Sequence, residues 1–97
     1  VLIRAAEPLS GIDSMKKNRN SSDLHNLCSG PGKLCLALDI DKRFNGLKLG
    51  KEIKVLDDGF KADKINSSSR IGIKDALNLQ WRFFIEDSPF VSKINKQ

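Results

Sequence analysis

Short apolar runs alternate with polar and Gly/Pro-rich stretches along the whole chain. The first run, Val1-Leu2-Ile3-Arg4-Ala5-Ala6, is aliphatic and β-branched enough to predict a buried strand. Glu7-Pro8 ends it, because proline removes a ladder donor and restricts the residue before it. Ser10 followed by Asp13 predicts a boxed helix start, and Ile12, Met15 and Arg19 at helical spacing predict a short helix over residues 11–19. After the polar loop Asn20-Ser21-Ser22-Asp23, a second helix is expected to begin near Pro31. Proline suits the first helical turn and Ser29 suits the cap. Leu34, Leu36, Ala37 and Leu38 then form its apolar body.

Further on, Asn45-Gly46 is a turn signal, and residues 52–56 alternate well enough for a strand ended by Asp57-Asp58-Gly59. Residues 60–69 read as loop. Residues 69–74 read as a short strand, with Gly72 marking a bulge or a close approach to the backbone. Residues 76–81 predict a helical turn capped by Asp75, and residues 82–85 a strand. Short strands and helices in no βαβ rhythm, with no internal repeat or long linker, predict an α+β fold.

Composition narrows the partners. Seventeen Lys and Arg against twelve Asp and Glu give a net charge of +5, which favours polyanions, although a solvated cationic face fits as well. Cys28 and Cys35, with His25 alone nearby, match neither a zinc ligand set nor a redox pair, and two reduced, mostly buried thiols are expected. No apolar run approaches the ~18 residues of a membrane span. The N-terminal residues do not form a secretory signal, so a secreted protein is not expected. At 97 residues the chain fits one small domain, or a piece of a larger one, as the abrupt apolar start suggests.

Three groups of residues could carry chemistry. Ser29-Gly30-Pro31-Gly32-Lys33 has the parts of an anion site: unpaired N–H groups at a helix start, glycines that admit close approach, and a cation. It lacks the spacing and the hydroxyl of a nucleotide-binding P-loop, and from the pattern alone an ordinary Gly-Pro helix start with an exposed lysine is the commoner explanation. Arg4, a guanidinium inside an apolar strand, needs a carboxylate, a phosphate or water. A structural pair with Glu7 or with a carboxylate on another strand is the commoner way to satisfy it, and a catalytic acid would also do so. Lys16, Lys17, Arg19, Lys33, Lys42 and Arg43 could track a phosphate backbone or simply be solvated. Trp81, Phe83, Phe84 and Phe90 could stack on bases, though core packing is the commoner use. No nucleophile, base and orienting group assemble from the sequence.

Four stretches in order resemble the methylpurine (alkyladenine, 3-methyladenine) DNA glycosylase family. They are Val1-Leu2-Ile3-Arg4-Ala5-Ala6-Glu7-Pro8, Leu27-Cys28-Ser29-Gly30-Pro31-Gly32-Lys33-Leu34, Arg70-Ile71-Gly72-Ile73, and Trp81-Arg82-Phe83-Phe84-Ile85 through Ser88-Pro89-Phe90-Val91-Ser92. The resemblance spans nearly the whole chain and is weakest over residues 45–68. It covers the C-terminal half of the family's single domain.

Such enzymes flip a damaged purine from the duplex and hydrolyse its glycosidic bond with a carboxylate-activated water. The resemblance therefore implies a base-excision repair function, double-stranded DNA bearing a damaged purine as partner, and no metal or cofactor. It places Arg4 beside the attacking water and the Ile71 backbone carbonyl on that same water. It also puts Arg19, Ser29, Gly30, Lys33, Lys42 and Gly72 at the DNA backbone. The family's general-base glutamate and its stacking tyrosine and histidine belong to the N-terminal half, and the chain has no tyrosine. These 97 residues alone are therefore expected to be inactive, with the missing half as a further partner of a monomer when intact. Nucleus in a eukaryote or cytoplasm in a bacterium is the expected address. A stand-alone, non-catalytic nucleic-acid-binding module is the alternative.

Overall fold

The computed structural model describes residues 1–69 and 79–92. Among them are two α-helices, α1 (Ile12–Arg19) and α2 (Pro31–Ala37), and two strands, β1 (Ile65–Ser68) and β2 (Arg82–Ile85), so the fold class is α+β as expected. Short 3₁₀ turns at Leu24–Asn26 and Lys42–Phe44 join the helical part.

Both helices lie where their apolar spacing predicts, but their starts differ from expectation. Gly11, at φ 68°, occupies the N-cap of α1, and no side chain caps it, so the Ser10–Asp13 box does not form. Glycine enters this left-handed backbone without a Cβ clash. Asn20, also left-handed, closes the helix with its N–H on the Lys16 and Lys17 carbonyls. In α2, Gly30 rather than Ser29 is the N-cap, and Pro31 stands in the first turn, where its missing N–H costs nothing. The Ser29 hydroxyl is 3.4 Å from Asn26 Oδ1 and does not cap the helix.

The helices pack around a small core. Leu27, Cys28 and Ala37 are buried, and Ile12, Met15 and Leu34 close over them. Leu36 and Leu38, expected in the apolar body of α2, lie on the outer face and are exposed. Arg19 ties α1 to the incoming loop by donating from Nε to the Leu27 carbonyl (3.0 Å) and from Nη2 to the Asn26 carbonyl (2.9 Å). Asn18 donates to the Ala37 carbonyl at the end of α2 (3.0 Å).

The two thiols part company: Cys28 is buried and Cys35 is exposed, which corrects the expectation that both are mostly buried. Burial pushes the Cys28 pKa up, against a smaller lowering by the Arg19 charge. Since the thiolate is the reactive form, a thiol reagent is expected to modify Cys35 first. Labelling followed by peptide mass analysis measures the order, and faster modification of Cys28 would overturn it.

β1 and β2 form an antiparallel pair with Ile65 opposite Ile85 and Ser68 opposite Arg82. The Lys64–Glu86 ion pair (3.1 Å) sits just beyond the Ile65–Ile85 end. Residues 65–68 were expected as loop, and Ile-Asn-Ser-Ser carries little intrinsic strand preference. They become a strand because β2 supplies a partner.

Two predicted strands do not form. Residues 52–56 have no partner among the described residues and run irregularly. Residues 1–6 likewise join no described strand, and their link to the core is the Ala6 N–H donated to the Cys28 carbonyl (3.1 Å). An apolar run becomes a strand only where backbone groups find a ladder. Residues 70–74 of the strand expected over 69–74 and residues 76–78 of the turn expected over 76–81 lie outside the described residues.

Candidate functional site

A cleft of about 890 Å³ lies between the N-terminal segment, the start of α2 and β2. Arg4, Ser29 and Gly30 line it together with Arg82, Phe84 and Phe90. The sequence thus scatters these residues, and the fold gathers them. Lys33 is the third residue of α2, its ammonium 3.4 Å from Oγ of Ser29, a lining residue.

Arg4 is half-buried. Among the described residues the ion pairs are Arg43–Asp41 and Lys64–Glu86, so the structural pair with Glu7 considered for Arg4 is not made. Glu7 lines the same cleft but is exposed. A half-buried guanidinium that lines a cleft, with no ion-pair partner among the described residues, can direct its donors to an anion or an ordered water.

A second guanidinium reinforces this positive wall. Arg82 is 7% exposed and donates from Nη1 to Ser68 Oγ (3.2 Å) and from Nη2 to the Ser92 carbonyl (2.7 Å). Its guanidinium carbon stands 4.5 Å from the centre of the Phe84 ring. Burial holds its pKa below the ordinary value, and repulsion from the Arg4 charge lowers it further. Both cations line the same cleft.

At the start of α2, Lys33 Nζ donates to Asn26 Oδ1 (2.6 Å) and lies 3.4 Å from Ser29 Oγ. The ammonium is held at the loop rather than swinging freely in water. Gly30 has φ −161°, an extended conformation open to any residue, and a Cβ there would meet Lys33 Cδ at an ordinary 3.8 Å. A Cβ on Gly32 would meet nothing within 4 Å. Neither glycine is demanded by the packing of the described residues.

The other expected contacts lie apart from this cleft. Arg19 points inward to the Asn26 and Leu27 carbonyls, so it steadies the Lys33 loop from behind. Lys42 is exposed in the Lys42–Phe44 turn, next to Arg43, which is tied back to Asp41 at 2.9 Å. Hydrogen bonding from Arg43 holds the Asp41 carboxyl below its ordinary range. Ile71 and Gly72 lie outside the described residues.

The aromatics divide as well: Trp81 and Phe83 are exposed, while Phe84 and Phe90 are half-buried, which corrects a general core reading. Phe90 meets the ring of His25 edge-on at 5.0 Å, a packing contact for a histidine that the sequence left without a role.

Residues 1–89 match the methylpurine-DNA glycosylase (MPG) family. The chain belongs to that family. The match takes in Arg4, the Ser29–Lys33 segment and Ile71. The chain is 44% identical over 104 aligned residues to a protein of Clostridium novyi, covering 96% of this chain and 52% of that protein. It is 43% identical to one of Alkaliphilus oremlandii, with the same coverage, and 47% identical to one of Agrobacterium fabrum, covering 96% and 48%. All three are provisionally named 3-methyladenine DNA glycosylases. The chain spans about half the length of these curated relatives.

Within this chain, sequence reasoning overlooked Arg82, Asn26 and Ser92 as members of the site's framework. Arg82 carried the same signal as Arg4, a guanidinium in an apolar strand. Asn26 and Ser92 carried none, since their roles arise from contacts that only the fold creates.

Proposed function

We propose that this chain supplies part of a DNA base-excision repair glycosylase, the C-terminal portion of a single glycosylase domain, that hydrolyses the N-glycosidic bond of 3-methyladenine-type alkylated purines after flipping the base from the duplex. The observation that carries this reading is Arg4, half-buried in the cleft, without an ion-pair partner among the described residues, and close to the start of α2. In hydrolysis, a carboxylate takes a proton from water as the oxygen attacks the sugar carbon and the purine leaves. Arg4 would orient that water and favour the ionised carboxylate, with the Ile71 carbonyl accepting from the water's other hydrogen. The carboxylate itself would come from the half of the enzyme that this chain does not cover.

Duplex binding would rest on the Ser29-Gly30 backbone and Lys33, with Lys42 and the Gly72 backbone further along the phosphates and Arg19 supporting the loop. α2 has seven residues, so its dipole adds little and the lysine charge carries most of the attraction. The complementary half is also a partner in packing. Phe83 and Ile85 share one face of β2 with Ile65 opposite, and all three are exposed together with Trp81. That apolar face fits burial against the remainder of a monomeric enzyme.

Lys33→Met tests the interface, using a short fluorescein-labelled duplex and fluorescence anisotropy across a salt series. Affinity should fall several-fold, and the slope of log affinity against log salt should become shallower by about 0.9, the loss of one phosphate contact. An unchanged affinity and slope would remove the Ser29–Lys33 segment from the DNA interface.

A further inference from the structure

Two parts of the molecule far apart in sequence meet at one hydrogen bond. The Ser92 hydroxyl donates to the Ser29 carbonyl, across 63 residues of chain. Ser92 is itself held from the other side, because its carbonyl accepts from Arg82 Nη2 at 2.7 Å. Arg82 in turn is fixed by Ser68 across the sheet and by the Phe84 ring beneath it. On the far side of the bond, Ser29 is the residue that Asn26 and Lys33 close upon.

We infer that Arg82 is a positioning residue for DNA binding: acting through Ser92, it sets the Ser29 backbone and hence the place of the Lys33 ammonium at the phosphate-facing loop. This rests on the reading of that loop as the duplex contact. A buried cation needs fixed acceptors to offset desolvation, and here the acceptors are Ser68 and the Ser92 carbonyl rather than a mobile carboxylate. The anchor is therefore rigid, and rigidity passes to the loop by way of the serine hydroxyl. A merely structural arginine would stabilise the hairpin and leave the loop indifferent to Ser92.

Ser92 is exposed, so removing its hydroxyl leaves no cavity in the core. In the anisotropy assay with the same labelled duplex, Ser92→Ala is expected to weaken binding about fivefold, the range of one net hydrogen bond. It should also make the salt slope shallower, with Tm unchanged, and Ser92→Thr, which keeps the hydroxyl, should restore both. Arg82→Lys should weaken binding similarly and add little to Ser92→Ala, since both act on one path.

If Ser92→Ala binds like the parent while Lys33→Met does not, the relay is overturned and the phosphate reading stands. If neither substitution alters binding, the phosphate reading fails and the relay with it. A loss of binding in Ser92→Ala that follows a lowered Tm and is not rescued by threonine would also overturn the relay. Should Arg82→Lys fail to fold, the two Ser92 variants decide the matter alone.

Discussion

Incubated with alkylated duplex DNA, the purified 97-residue chain is expected to release no methylated purine above the spontaneous rate. Joined to the part of the Clostridium novyi relative that it does not cover, it is expected to release them catalytically. The reasoning is chemical. Water is a poor nucleophile towards a glycosidic carbon until a positioned carboxylate accepts its proton, which contributes on the order of 100-fold or more. In the cleft, Glu7 is the acidic lining residue, and it is exposed rather than fixed beside Arg4. Within the joined protein, Arg4→Ala should lower kcat by about 100-fold while leaving duplex affinity nearly intact, because the contact proposed for it is with the water and not the DNA backbone. Liquid chromatography of the freed bases provides the measurement. Saturable release by the 97-residue chain alone would sink the claim that chemistry needs the other half.

The second large effect concerns stability. Leu27 is fully buried at the centre of a core whose other buried apolar members, among the described residues, are Cys28 and Ala37. Leu27→Ala removes most of that side chain and leaves a space that Ile12, Met15 and Leu34 can only partly fill, at about 3 kcal/mol. Natural domains hold only about 5–15 kcal/mol in total, and a core this thin belongs at the low end. Thermal unfolding followed by circular dichroism should show a fall in Tm of roughly 15 °C, or no cooperative transition at all. A shift of a degree or two would place the core elsewhere.

What the sequence disclosed depended on whether a signal was local. Pro31 and the spacing of Ile12 and Met15 act within their own segments, and α1 and α2 form where these residues predict. The strand Arg82–Ile85 was equally legible from its aromatic and β-branched residues. Residues 1–6 and 52–56 carry comparable patterns but have no described strand to pair with, and strand formation is a property of two segments. β1 shows the converse, a segment with weak preference made into a strand by its neighbour. For the site, Arg4 announced itself as a charge in an apolar run, and the family resemblance joined it to Ser29, Gly30 and Lys33. The lines from Arg82 to Ser92 and from Ser92 to Ser29 join distant positions, so no window of sequence contains them.

Phe83, Ile85 and Ile65 are exposed together on a sheet that has two strands, and so two outer edges, among the described residues. Such an edge is a template for strand addition. Handled by itself at high concentration, the polypeptide should self-associate along this face, and in a cell it would be marked for chaperone capture or proteolysis until the face is covered.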